Sequence, residues 1–282
     1  MRTLAAEHAP SHEYPAIGAK SPRLTLAVSA AEGPRRIPCR RVVTLVGSRE
    51  GCKLRLSHPA ISTVHFAIVY AGSGVYAVDM VTPHGTLLNR LKLRLEELHD
   101  GDALTVGPWT MAVEVVPPAG AGANGDVLGI DAAPVGVAFE VNGTRERFEP
   151  RRAVCLIGRD SGCDLVLADQ SASRVHAMCF VHEGRPVIVD LLSTNGVLVA
   201  GAPVSFHPLA DSDVITIGST DLVVRLSSAA AAGEAPPNGR TARPSADIAP
   251  PAPGQDLIDI RATEGSQRWQ IVDHLERAKR KK

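Results

Sequence analysis

The feature that most constrains this chain is that it is written twice. Val46-Gly47-Ser48-Arg49-Glu50-Gly51-Cys52-Lys53-Leu54-Arg55-Leu56 and Ile157-Gly158-Arg159-Asp160-Ser161-Gly162-Cys163-Asp164-Leu165-Val166-Leu167 share their glycines, a cysteine and two leucines. The offset is 111 residues, the distance from Gly47 to Gly158. The same offset carries Ser62 onto Ser173, His65 onto His176, Asp79 onto Asp190, Gly85 onto Gly196, Asp102 onto Asp213 and Gly107 onto Gly218, with no insertion between. A tandem duplication follows. A length of 282 residues gives each copy room for a domain of ordinary size.

Within each copy the apolar runs are short and β-like. Leu24–Val28, Val42–Val46, Phe66–Tyr70 and Val75–Val78 read as strands bounded by Gly, Pro or charged turns. The second copy answers with Val135–Val141, Val154–Ile157, Val187–Val189 and Val214–Ile217. No long helical pattern competes, so the expected fold class is all-β, one sandwich per copy. The expected organisation is a flexible N-terminal segment (1–21), a first domain (22–117), a linker (118–133), a second domain (134–226) and a disordered Ala/Pro/Gly-rich segment (227–266). Trp269, Val272 and Leu275 at helical spacing among basic residues leave two readings of 267–282, a short basic amphipathic helix or a solvated tail.

Composition excludes several classes. Lys+Arg and Asp+Glu both number 30, and a chain that neutralises a run of phosphates usually carries a basic excess, so nucleic acid is not an expected partner. The hydrophobic fraction of 44% is enough for packed cores. No apolar run approaches the roughly 18 residues of a membrane span, and no leader-like h-region opens the chain, so a cytoplasmic protein without membrane contact is expected. Five cysteines (Cys39, Cys52, Cys155, Cys163, Cys179) without a C-x-x-C pair predict small core residues, with no metal site and no cofactor.

Two enzyme-like patterns fail on context. Gly120-Ala121-Gly122-Ala123-Asn124-Gly125 matches G-x-G-x-x-G, but it follows Pro117-Pro118 and opens no helix. Ser173, His176 and Asp190, repeated as Ser62, His65 and Asp79, lack a nucleophile elbow, and the S-x-x-H spacing serves a loop equally well. The residues of the second copy have instead the vocabulary of an anion site. Arg159 offers a guanidinium fork, Ser173 a hydroxyl beside Arg174, and Ser193-Thr194-Asn195-Gly196 a tight loop with donors and an amide for a peptide main chain.

Ile157-Gly158-Arg159, Ser173-Arg174-Val175-His176 and Ser193-Thr194-Asn195-Gly196, in that order, resemble the conserved blocks of the forkhead-associated (FHA) family. Leu209, Asp211-Ser212-Asp213 and Ile217-Gly218 resemble its closing block, with Ser212 where a glycine is usual. The resemblance implies two eleven-stranded β-sandwiches and recognition of phosphothreonine peptides without catalysis. It implies that Arg159 and Ser173 hold the phosphate, that Arg174 and Thr194 assist, and that Asn195 bonds the peptide backbone. It assigns Gly158, His176 and Gly196 to support of the site, and a small pocket to the threonine methyl. The position two before the binding serine is Ser171, uncharged, so no strong acidic preference is expected.

The first copy keeps Gly47, Ser62, His65, Asp79 and Gly85, but has Ser48, Thr63, Pro83 and His84 where the second has Arg159, Arg174, Thr194 and Asn195. Arg49 lies one residue late, which on an extended segment turns it to the other face. The expected function is therefore an adaptor whose second domain docks threonine-phosphorylated proteins, a Ser/Thr kinase or its substrates among them. A phosphate-independent interaction scaffold is the alternative.

Overall fold

The computed structural model describes residues 14–28, 35–72, 74–118, 136–142, 144 and 146–226, together with the backbone of 258–262 and 269–273. The first copy forms β1 (Arg23–Val28), β2 (Arg35–Cys39), β3 (Val43–Gly47), β4 (Leu54–Ser57), β5 (Phe66–Ala71), β6 (Gly74–Asp79), β7 (Thr86–Leu88), β8 (Leu91–Lys92), β9 (Leu95–Glu97), β10 (Ala103–Val106) and β11 (Trp109–Val116). The second forms β12 (Val137–Val141), β13 (Arg147–Phe148), β14 (Val154–Gly158), β15 (Leu165–Val166), β16 (Ala177–His182), β17 (Arg185–Asp190), β18 (Val197–Val199), β19 (Ala202–Val204), β20 (Phe206–Pro208), β21 (Val214–Ile217) and β22 (Thr220–Leu226). Eleven strands per copy match the expected sandwich, and β5, β6, β7, β9 and β10 fall on β16, β17, β18, β20 and β21 at the 111-residue offset.

Each copy is two sheets face to face. In the first, β2-β1-β11-β10-β7-β8 lies over β4-β3-β5-β6-β9; in the second, β13-β12-β22-β21-β18-β19 lies over β15-β14-β16-β17-β20. Strand alternation fills each core. Leu24, Leu26 and Val28 of β1 meet Phe66 and Ile68 of β5 and Trp109, Met111 and Val113 of β11. Phe139, Cys155, Ile157, Cys179, Ile188, Ile215 and Leu222 do the same in the second copy. The five cysteines are buried and unpaired. Burial pushes the thiols of Cys39, Cys52, Cys163 and Cys179 up to about 12, which leaves them inert core residues.

β5 and β6 are buried along their whole length on both faces. One face enters the sandwich core. The other, with Ala67, Val69, Tyr76 and Val78, packs on Leu156, Met178, Phe180, Val187 and Val189 of the second copy. The two sandwiches thus share a third apolar core. Its contacts are reciprocal under the repeat. Leu192 lies over Gly51, where an added Cβ would meet it at 3.0 Å, and Val81 lies over Gly162, where the distance would be 2.3 Å. Val81 is the 111-residue equivalent of Leu192, and Gly51 that of Gly162. This is the isologous geometry of a two-fold dimer, folded into one chain.

Two expectations about the ends are corrected. Within 1–21, expected to be flexible, residues from Tyr14 onward are held: Tyr14 is buried, its hydroxyl donates to the Asp190 carbonyl at 2.7 Å, and Val42 N donates to the Pro15 carbonyl at 2.8 Å. A large ring with one polar tip can fill an apolar interface and still satisfy its hydroxyl. In the tail, β23 (Ile258–Ala262) and β24 (Trp269–Asp273) replace irregular chain and the start of the expected helix or solvated tail. β23 adds in parallel to β4, and β24 returns antiparallel to it. Ile258-Asp259-Ile260 and Trp269-Gln270-Ile271 alternate with period two, and β-branched and aromatic residues favour that outcome over a helix. Residues 119–135, most of the expected linker, and 1–13, 227–257, 263–268 and 274–282 lie outside the described residues.

Candidate functional site

The loops after β14, before β16 and after β17 meet at one end of the second sandwich, and His176 ties them. Its Nδ1 accepts from Ser173 N at 2.9 Å, and its Nε2 lies 2.9 Å from the Gly196 carbonyl. The accepting Nδ1 fixes the tautomer, so Nε2 carries the proton and donates. With both ring nitrogens engaged by backbone, His176 has no free base to offer a nucleophile, and the Ser-His-Asp reading fails on geometry. Asp190 instead holds the 193–196 turn, accepting from Ser193 N and Oγ, while Ser193 Oγ accepts from Gly196 N at 3.0 Å. Gly158 is required by approach: a Cβ there would lie 2.3 Å from the Arg174 carbonyl oxygen.

On this frame the polar groups converge. Thr194 N donates to Ser173 Oγ at 3.1 Å, and the two hydroxyls are 3.5 Å apart. Asn195 Nδ2 donates to the Ser171 carbonyl at 2.7 Å, which leaves its Oδ1 for an incoming N–H donor. Arg159 is exposed, and its charge acts on the adjacent Asp160 carboxylate without forming an ion pair among the described residues. Arg174 differs. Its Nε and a terminal nitrogen each lie 3.0 Å from Asp160, and it also reaches the Val81 carbonyl of the first copy at 3.4 Å. The Gly162 amide, followed by Arg174, holds the Asp160 carboxyl below the usual range. Arg159, Ser173, Arg174 and Thr194 line one cleft of about 300 Å³, and Asn195 stands exposed beside Thr194.

Sequence reasoning did not find Asp169. Its carboxylate accepts from Ser171 N at 2.8 Å, Ser219 N at 2.7 Å and Thr220 Oγ1 at 3.1 Å, pinning the Ser171 turn to the β21–β22 turn. Those bonds, the Ser171 hydroxyl foremost, depress its pKa. The first copy has His58 at the equivalent position, edge-on to Trp109 at 5.8 Å, so an aromatic pair replaces the carboxylate and Thr220. The repeat offset was the signal that could have shown this exchange.

The first copy builds the same frame around different side chains. His65 Nδ1 accepts from Ser62 N at 3.0 Å, and its Nε2 faces the Gly85 carbonyl at 3.1 Å. Asp79 accepts from Thr82 N at 2.8 Å and from Thr86 Oγ1 at 2.9 Å. The position of Arg49 departs from expectation. β3 ends at Gly47, so strand alternation does not reach residue 49. Arg49 turns across the domain boundary, donates to the Leu192 carbonyl and lines the same cleft as Arg159.

Comparison with known proteins places this frame. The FHA domain family model matches residues 44–107 and 155–218. The chain is 34% identical over 114 residues to the glycogen accumulation regulator GarA of Mycolicibacterium smegmatis, covering 39% of this chain and 72% of GarA. It is 34% identical over 85 residues to the FHA domain-containing protein FhaA of Mycobacterium tuberculosis, 30% of this chain and 16% of FhaA, so it spans a small part of that relative. A structure solved for the analysis of phosphothreonine-dependent FHA domain interactions aligns at 32% identity over 33% of this chain and 98% of its own, with a TM-score of 0.32. With the family pattern matched in both copies and more than two thirds of GarA covered, this chain belongs to the FHA family, carrying two FHA domains in tandem.

Proposed function

We propose that the protein is a non-catalytic adaptor whose second FHA domain binds threonine-phosphorylated proteins, a Ser/Thr kinase or its substrates among them. The observation that carries this reading is the exposed Arg159 guanidinium, outside any ion pair among the described residues, in one cleft with Ser173 and Thr194. A phosphate monoester of about −1.5 to −2 charges needs such a fork and hydroxyl donors. Asn195, with its Nδ2 engaged and its Oδ1 open, bonds a backbone N–H of the bound peptide. Arg174 assists as a charge while Asp160 holds it in place. Gly158, His176 and Gly196 support the loops. In this reading the first domain is the degenerate one, because Ser48, Thr63, Pro83 and His84 supply neither the fork nor the amide.

The test is a fluorescence anisotropy titration of the full chain with phosphothreonine, phosphoserine and unphosphorylated versions of library-selected peptides. Phosphothreonine peptides are expected to bind at micromolar Kd, and phosphoserine versions more weakly, since one buried methyl contributes roughly 0.8 kcal/mol. Arg159→Ala should cost roughly 2–3 kcal/mol, on the order of a hundredfold. Equal binding by a folded Arg159→Ala protein would instead favour a phosphate-independent scaffold, the reading to which the large interdomain core lends some support.

A further inference from the structure

The cleft at the second domain's site is not made by that domain alone. Ser62, Thr63, Met80 and Val81 of the first copy form its opposite wall, and Arg49 reaches into it beside Arg159 and Arg174. No aspartate or glutamate lines it. Of the three guanidinium groups, Arg174 forms an ion pair with Asp160, whereas among the described residues Arg49 and Arg159 form none, and Arg159 feels Asp160 only through its field. Two positive charges outside any ion pair therefore share one partly enclosed space, where each raises the other's preference for an anion. The space is also larger than one phosphate requires. A volume of about 300 Å³ would hold about ten molecules of liquid water, and a phosphate group has five heavy atoms.

Arg49 is held in place. It donates to the carbonyl of Leu192, a residue with φ of 56° immediately before the Ser193–Gly196 turn. A bulky residue in the left-handed region is strained. Leu192 is kept there by its side chain packing over Gly51, two residues from Arg49. The contact that orders the binding turn thus also fixes where Arg49 enters. The equivalent position in the second copy is Asp160, so the repeat carries opposite charges there.

We propose that the two FHA domains form one composite site. Arg49 of the first domain takes a second acidic group, a carboxylate or phosphate side chain, on the phosphothreonine peptide that Arg159 holds by its phosphate. This rests on the phosphothreonine reading of the second domain, and deepens it: the domain without its own fork selects the ligand of its neighbour.

The experiment is an anisotropy titration of the full chain with an alanine-flanked phosphothreonine peptide and a panel in which one glutamate, or a second phosphothreonine, is moved through the three positions on either side. The parent is expected to prefer at least one acidic register by about tenfold over the alanine-flanked peptide. Arg49→Gln should erase that preference, Arg49→Lys should restore part of it, and added salt should reduce it in the parent. A parent that binds all registers alike overturns the proposal. So does an Arg49→Gln protein that loses affinity for acidic and neutral peptides equally, since that is the signature of a residue that only holds the Leu192 turn. Loss of the underlying reading looks different: Arg159→Ala would then leave every peptide's affinity unchanged.

Discussion

Asp160 stands next to Arg159 and Arg174, the two arginines to which the proposed function gives the phosphate, and in that reading its charge competes with the ligand. Its Oδ1 accepts from Gly162 N at 3.0 Å, and its Oδ2 pairs with Arg174. Asp160→Asn keeps the first contact and removes the charge. The ion pair is half-exposed and contributes about 0–1 kcal/mol, so the melting temperature should move little. Phosphothreonine-peptide affinity should rise several-fold, read by anisotropy; an unchanged affinity would place the carboxylate outside the phosphate's field. His65 gives a second test at this scale. Burial, chiefly, lowers its pKa, and its Nδ1 already accepts the Ser62 amide. The neutral ring is the folded form, so its contribution is complete above the ordinary histidine value of about 6.5 and is lost as pH falls through the lower folded value. Thermal melts should therefore show an acid-side destabilisation that His65→Gln lacks.

At the scale of elements, the repeat made the strand order legible, because every block from Gly47 to Gly107 recurs without an indel. The site frame was legible for the same reason: Gly158, Ser173, His176 and Gly196 are local in each loop. What crosses between domains was harder to read, though a signal existed. Phe66-Ala67-Ile68-Val69-Tyr70 is continuously apolar, whereas a strand with one wet face alternates. Arg49 could not be placed from sequence, because its position depends on where β3 stops and on what the second copy puts opposite. The tail hairpin was misjudged because Trp269, Val272 and Leu275 fit a helical period while Trp269 and Ile271 fit a strand. Its pairing makes a prediction. Removing residues 227–282 leaves β4 at the edge of its sheet, as β15 already is in the second copy. Hydrogen exchange should then speed up at β4 amides and stay unchanged at β15; equal protection of β4 with and without the tail would remove β23 from that sheet.

Across the whole molecule, the decisive feature is the shared core between the sandwiches. Val154, Leu156, Met178, Phe180, Val187 and Val189 are buried in one apolar cluster with Ala67, Val69, Tyr76 and Val78 of the first copy. Freed from the first copy, residues 134–226 would expose a contiguous apolar face, which soluble monomers rarely tolerate. That face descends by duplication from one very like the surface it packs against, and the reciprocal seating of Leu192 on Gly51 and Val81 on Gly162 shows that the two faces meet about a pseudo-two-fold axis. An isolated second domain is therefore expected to pair with a second copy of itself, with Leu192 of each entering over Gly162 of the other. Sedimentation equilibrium should show a concentration-dependent dimer. Phe180→Asp should return it to monomer, and in the full chain should lower stability by several kcal/mol, the cost of a charge at the site of a buried aromatic. A monomeric, fully stable isolated domain would mean that its outer face needs no cover, and the two domains would then be independent beads rather than one folded unit. The composite cleft requires the opposite result, because Arg49 can enter the second domain's site only while this core holds the two frames in register.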